Sequence, residues 1–268
     1  NNAQRKILSD VEGMSPIRHF TLKFRQGGVS TWWLIWWLDE SIFNRNTISG
    51  VLSHSRESLG YLFDIVRLAH REMPPGIRPR LSEDSKSSLS FVDINSKMFV
   101  SLGIRSTAVH NLHISEWCFC DDNLVRASLA AAGPNANISG ETTGNGLGND
   151  GYETYEEAKR GMNGYKALFL PWFMQEEYRA EPMYRVTLTE EEKRIGLDEG
   201  QSVWRRQKKK ELKGLFQQEF PEDDASAFIS GGNLFFDARK VTRLLQESKN
   251  IKLVGELPPS IKVWEHPI

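Results

Sequence analysis

The chain has 268 residues, of which 39% are hydrophobic and 26% charged, with a formal net charge of −1. That is enough apolar material for one sizeable α/β domain or two small ones, and it excludes a disordered chain. The charge provides no whole-chain attraction for nucleic acid, the apolar run Trp32–Leu38 is too short to span a bilayer, and there is no signal-peptide pattern, so no membrane role is expected.

In chain order, a short helix, Gln4 to Val11, ends in a turn at Gly13 and Pro16 and leads to a first strand at His19–Lys23. A polar, glycine-bearing stretch follows. Trp32–Phe43 then has the pattern of a helix whose tryptophans are core residues rather than platforms for bases. Thr47–Ser53 reads as a strand. Ser55–Glu72 reads as a helix carrying Leu59, Leu62, Phe63, Val66 and Leu68, and Met73-Pro74-Pro75-Gly76 ends it. Residues 82–89 read as a polar loop, and Ser90–Ile94 with Met98–Leu102 as a β-hairpin around Asn95-Ser96-Lys97. Val109–Ser115 is a strand. Asp121–Ala132 is a helix with acidic residues at its start and Gly133-Pro134 at its end. Asn137–Gly140 and Tyr165–Leu170 are further strands, and residues 144–151 a flexible loop.

Strands alternating with helices predict a mostly parallel sheet with right-handed crossovers. From Thr187 the pattern becomes helical. Thr189-Glu190-Glu191-Glu192 has a capping signature, Trp204–Phe216 is a helix, and Pro221–Asp224 an acidic turn, so a small helical subdomain follows the sheet. The expected division is a core over 1–175, a helical subdomain over 176–236 and a trailing segment over 237–268. The chain begins at Asn1 rather than methionine and reads as a piece of a longer protein. Cys118 and Cys120 have a spacing that suits neither a disulfide nor a four-ligand zinc site, which reads as cytosolic, and both are expected to be buried, inert thiols.

The chemistry concentrates in three places. Lys23-Phe24-Arg25-Gln26-Gly27-Gly28-Val29-Ser30-Thr31 follows a strand and precedes a helix, the layout in which backbone N–H groups and the positive helix end face phosphates. It departs from G-x-x-x-x-G-K-[ST] because Lys23 stands at the first glycine and Val29 at the lysine. The early lysine reaches the same phosphates if its side chain folds back over the turn. Asn111-Leu112-His113-Ile114-Ser115-Glu116 brings polar side chains to the carboxyl end of the sheet, where ligands bind in open α/β sheets. Ser115 stands where an aspartate would help hold Mg²⁺; a serine can hold a magnesium-bound water but supplies no charge. Glu116 remains as the candidate general base, although taken alone a strand end with one surface carboxylate is the better account of it. Asn137–Gly146, a strand running into Ser, Thr and Gly, suits the sensing of a γ-phosphate; alone it reads as a polar loop.

Taken in order, these segments resemble the ATPase domain of the large terminase subunit, the DNA-packaging motor of tailed bacteriophages. The Lys23–Thr31 loop is similar to that family's variant Walker A. Leu112-His113-Ile114-Ser115-Glu116-Trp117 is similar to a serine-bearing Walker B, and Ser139–Gly146 to the coupling motif. Phe169–Phe173, Gln218–Pro221 and Ala227–Gly232 follow in the expected order. The resemblance implies a P-loop NTPase fold of the additional-strand, recombinase-like kind with a helical lid. It implies ATP and Mg²⁺ as cofactors and ATP hydrolysis coupled to translocation of double-stranded DNA.

By the same resemblance, Gln4 reads the adenine, Lys23 contacts the β- and γ-phosphates, and Arg25 reaches the γ-phosphate. Gln26, Gly27 and Gly28 belong to the loop, Ser30 ligates Mg²⁺ with Ser115 nearby, and Thr31 lies near the α-phosphate. Arg105 is either a finger acting on a neighbouring subunit's ATP or a surface arginine. Ser139, Glu141, Thr142 and Thr143 couple phosphate release to movement. The implied partners are DNA, a portal protein, a small terminase subunit and further copies in a pentameric ring, at the portal vertex of a procapsid in the host cytoplasm. The family's nuclease domain is not expected: beyond Phe236 the only carboxylate side chains are Asp237, Glu247, Glu256 and Glu265.

The basic run Arg205, Arg206, Lys208, Lys209, Lys210 and Lys213 reads first as a solvated helix face, with DNA phosphates or a subunit contact as alternatives. His113 is expected to be packed rather than catalytic. His19, His54, His70 and His110 lack metal-ligand spacing. Two other readings stand beside the motor: a helicase-like translocase, and a nucleotide-binding assembly protein without turnover, which Val29 and Ser115 favour.

Overall fold

The described residues form eight strands and nine α-helices. They are α1 (Asn2–Val11), β1 (Arg18–Lys23), α2 (Val29–Phe43), β2 (Ile48–Leu52), α3 (Arg56–Arg71), β3 (Leu81–Asp84), β4 (Ser88–Phe91), β5 (Ser96–Ser101), β6 (Val109–Ser115), α4 (Asp122–Ala131), β7 (Ala132–Thr142), α5 (Asp150–Lys159), β8 (Lys166–Leu170), α6 (Glu190–Arg194), α7 (Glu199–Leu212), α8 (Phe216–Glu219) and α9 (Asp224–Ala227). The chain divides into two units, Asn1–Ser230 and Gly231–Ile268. The computed structural model describes residues 1–229 apart from 183 and 185, together with residue 244. Ser230, Gly231, Gly232 and Phe236, and the carboxylates of the trailing segment 237–268, lie outside the described residues.

One sheet runs β3-β4-β5-β2-β6-β7-β1-β8. The pairings among β5, β2, β6, β7, β1 and β8 are parallel, and β3 and β4 add antiparallel strands at one edge. β7 is the additional strand between β1, which leads into the glycine loop, and β6. The fold is therefore the expected mostly parallel sheet flanked by helices.

Alternation along the central strands separates two environments. Phe20 and Leu22 of β1, Leu112 and Ile114 of β6, and Ile138 of β7 pack with Val125 of α4 and Tyr155 of α5. The opposite face meets α2, and there the side chains are polar in two cross-strand rows. His19, Ser139 and His113 are in register, and one pleat further on so are Thr21, Glu141 and Ser115. All six are buried. Buried polar groups are tolerable only when bonded. Trp37 Nε1 donates to Ser139 Oγ at 2.9 Å, and that hydroxyl lies 2.9 Å from His113 Nδ1. The tryptophans of α2 thus have two roles. Trp33 and Trp37 fill the core while Trp32 and Trp36 are half-buried, and Trp37 also secures the polar layer.

Several boundaries differ from expectation for identifiable reasons. α2 begins at Val29 rather than Trp32, because the glycine loop ends in a left-handed residue and the helix starts at once. The polar loop expected over 82–89 is largely β3 and β4. Its serines and acids are the composition of an exposed sheet edge, where Ser90 donates to Glu83 and Lys97 pairs with Glu83. β7 runs from Ala132, so Gly133-Pro134 sits within an irregular stretch before regular pairing resumes at Asn137. α5 occupies a stretch whose start had read as loop. Asn149 caps it by accepting from Tyr152 N, and Gly151 lies in its first turn, where a Cβ would sit 2.6 Å from Cys118 Sγ. α7 begins five residues before Trp204, at Glu199, behind an Asp198–Gln201 capping box.

Candidate active site

The parallel strands place Lys23, Ser115 and Thr142 at one edge of the sheet, at the ends of β1, β6 and β7. Above that edge lies a cavity of about 760 Å³. Its walls are the loop and first turn 25–31, the β6 end at Ser115 and Glu116, Thr143, Glu219, and the start of α3 with His54, Glu57, Ser58 and Tyr61.

The loop is held open from behind. Gln4 Nε2 donates to the Gly28 carbonyl at 3.0 Å and Asn1 Nδ2 to the Gly27 carbonyl at 3.1 Å. Gln26 and Gly28 both have positive φ, at 62° and 72°. Among the described residues no acceptor is bonded to the N–H groups of Gln26, Gly27 or Gly28. The first turn of α2 leaves its own N–H groups open. Together these make a nest of donors at the positive end of a helix. Val29 cannot supply the missing lysine, because its side chain is buried among the core residues of α1 and α2.

A lysine does reach this edge from the strand side, at Lys23. Its Nζ lies 2.7 Å from Glu116 Oε1 and 2.9 Å from Glu141 Oε2. The first contact is a hydrogen bond; the second has only the distance of an ion pair, and Glu141 Oε2 takes no hydrogen bond. Glu141 Oε1 accepts from Ser30 Oγ and from Ser115 Oγ, each at 2.7 Å. Burial pushes the Glu116 carboxyl up, but the Lys23 charge and hydrogen bond, the Thr143 N–H and the Arg25 charge outweigh it and hold it below the usual carboxylate range. Glu116 has φ 54°, left-handed for a non-glycine residue, which costs about 1–2 kcal/mol. Strain of this kind clusters at functional sites. Its Oε2 accepts from Thr143 N at 3.0 Å, which ties the end of β6 to the end of β7. One residue on, a Cβ at Gly144 would lie 1.8 Å from the Ala227 carbonyl oxygen, so the same segment packs directly against α9.

The structure therefore gathers Lys23, Ser30, Ser115, Glu116, Glu141 and Thr143 around one point, with Gln26, Gly27, Gly28 and Thr31 on the loop beside it. Other expected site residues are placed differently. Gln4 lies behind the loop rather than in the cavity lining. Arg25 lines the cavity, but its guanidinium pairs with Glu219 at 2.8 Å, an interaction that raises its pKa. Ser139 lies one pleat below the site, fully buried, and Thr142 turns its hydroxyl to the Cys118 N–H. Arg105 is exposed and outside the cavity, with no ion pair among the described residues. His113 is packed as expected, and burial pushes its pKa down to about 3. Burial pushes the Cys118 and Cys120 thiols up to about 12, although Cys120 is only half-buried.

The basic run is not a solvated face throughout. Arg205 is buried against Glu222 and Glu191, Arg206 pairs with Glu192, Lys209 with Glu222 and Lys208 with Glu211. Asn1 and the α3 wall had no signal in the chain, because each reaches the site only through tertiary packing, and Glu219, within the Gln218–Pro221 segment, had been given no place in the site. Among the described residues no group of His, Cys, Asp and Glu side chains forms a metal cluster, and no helix is long and apolar enough to cross a membrane.

No protein-family model matches the sequence, and no curated protein does. Solved structures share the fold. The HK97 bacteriophage large terminase superposes with a TM-score of 0.58 at 13% identity, over 83% of this chain and 50% of that one. The large terminase of a thermophilic bacteriophage in complex with ATP-γ-S gives 0.54 at 14% identity, over 81% and 50%. The Thermus phage P74-26 large terminase ATPase domain gives 0.54 at 11% identity, over 81% and 92%. This chain spans about half the length of the first two and most of the third.

Proposed function

We propose that this chain is an ATPase domain of a viral DNA-packaging motor, binding ATP and Mg²⁺ at the Lys23–Thr31 loop. The observation that carries the reading is the convergence of Lys23, Glu116, Glu141, Ser30 and Ser115 beneath an open loop of donors, on a fold shared with large terminase ATPase domains. The loop N–H groups and Lys23 would take phosphate oxygens, as a glycine-rich loop and its lysine do. Ser30 and Ser115 would supply oxygen donors to a magnesium ion. When bound, the ion would neutralise phosphate charge.

Lys23 is shared between two carboxylates. Drawing its ammonium to a phosphate would free Glu116 Oε1 to accept the proton of a water that attacks the γ-phosphoryl group, breaking its bond to ADP. The hydrogen bond from Thr143 N to Glu116 Oε2, with Gly144 against Ala227, gives a path by which that change would reach the helical segment 190–227, the proposed lid. Double-stranded DNA, a portal protein, a small terminase subunit and a ring of copies are the partners this reading carries. Under this reading Arg105, exposed and outside its own cavity, would act on another copy if it acts at all, a surface arginine being the alternative.

Glu116→Gln tests the reading. It is expected to lower ATP turnover by roughly 10²–10⁴ while ATP still binds. Lys23→Ala is expected to abolish binding, because it leaves Glu116 and Glu141 unneutralised beside the phosphates. Nucleotide affinity unchanged in Lys23→Ala would remove the basis of the assignment. Binding without turnover in the unmodified chain, and no effect of Glu116→Gln, would favour the assembly-protein reading.

A further inference from the structure

Glu116 and Glu141 share one ammonium, that of Lys23, while the Arg25 guanidinium is paired with Glu219. Three oxygens converge beside that ammonium: the hydroxyls of Ser30, in the first turn after the loop, and of Ser115, at the end of β6, each donate at 2.7 Å to Glu141 Oε1. Glu141 is fully buried, and its other oxygen has no hydrogen bond.

Resting on the nucleotide reading above, we infer that Glu141 of β7 supplies the metal-facing carboxylate that β6 lacks at Ser115. The register explains how. Ser115 and Glu141 are directly opposed on adjacent parallel strands, so a carboxylate lost from one strand end is replaced from the next, and the longer Glu side chain spans the strand spacing. Ser115 then has a positive role: its hydroxyl orients the relocated carboxylate instead of competing with it. Glu141 thereby acts in metal binding and not only in coupling.

The test measures ATP and ADP affinity in EDTA and in Mg²⁺, with Mn²⁺ binding to the ADP complex followed by electron paramagnetic resonance. Glu141→Gln is expected to keep nucleotide affinity in EDTA and to lose roughly tenfold or more of the metal-dependent gain and of Mn²⁺ affinity. Combining it with Ser115→Asp, which returns the carboxylate to β6, is expected to restore both. A folded Glu141→Gln chain with unmodified Mn²⁺ affinity overturns the inference and leaves the nucleotide reading intact. If Glu141→Gln does not fold, the double variant decides: folded with Mn²⁺ binding supports the inference, and folded without it overturns the inference. An unmodified chain that binds no nucleotide in either condition overturns the nucleotide reading and this inference with it.

Discussion

Gly28 meets two demands at once. Its φ of 72° is left-handed, and a Cβ would lie 3.1 Å from both Asn1 Nδ2 and Gln4 Nε2. The side chains crowding it are the ones that hold the loop, so the backbone is pinned where it must be most open to a ligand. Gln4 is thus a tether: its amide also closes the capping box of α1 with Asn1. Removing one such hydrogen bond costs about 1 kcal/mol. Gln4→Ala is therefore expected to weaken ATP and GTP equally, by about fivefold, in titrations with both nucleotides. A loss confined to ATP would mean that the amide reads the base after all.

The same region marks the limits of reading the chain alone. Lys23, Ser115 and Glu116 were legible because strand alternation ends at each of them. The metal-facing place of Glu141 was not, since it depends on β7 lying between β1 and β6, and pairing across a sheet leaves no trace in a single segment. Gln4 is ambiguous in the chain alone because a glutamine ahead of the loop is equally placed to face a base or the loop carbonyl.

At the scale of elements, α6 and α7 are joined by charge as much as by packing. Trp204 stacks over Tyr178 and packs with Trp172, while Arg205 and Arg206 reach back to Glu191, Glu192 and Glu222. The capping box at Thr189 and the capping box at Asp198 were both visible locally. The ion pairs were not, because helical spacing on α7 does not reveal which face a second helix covers. The Arg206 hydrogen bond is the main reason that the Glu192 carboxyl is held at about 2, against burial and with the Thr189 N–H assisting, from an ordinary value of 4.5. A depressed carboxylate stabilises the fold fully above its unfolded pKa, and that contribution fades as pH falls from about 4.5 towards 2. The shift sets an upper bound of roughly 3 kcal/mol. Glu192→Gln should therefore lower the midpoint of thermal unfolding at pH 7, and the gap from the unmodified chain should close progressively below pH 4.5. A gap independent of pH would mean that packing, not charge, holds α6 to α7.

At the scale of the whole molecule, the proposed site has, among the described residues, no unpaired arginine in its lining. Arg25 is the guanidinium nearest the site, and Glu219 occupies it by side chain and backbone alike. Arg105 has the opposite situation, exposed and outside its own cavity. An arginine supplied in trans contributes about 10³–10⁵ in rate in other phosphoryl-transfer systems, so isolated chains should turn over slowly. Specific ATPase activity is expected to rise with protein concentration, and Arg105→Ala should remove the rise without changing ATP affinity. Mixing separates trans from cis action. Arg105→Ala chains keep an intact Glu116 but no donor, and Glu116→Gln chains keep the donor but no base. If Arg105 acts on a neighbour, the mixture hydrolyses ATP faster than either variant alone, because a Glu116→Gln chain completes the site of an adjacent Arg105→Ala chain. If the mixture only averages the two rates, Arg105 is an ordinary surface residue and the missing positive charge must come from Arg25 after it leaves Glu219.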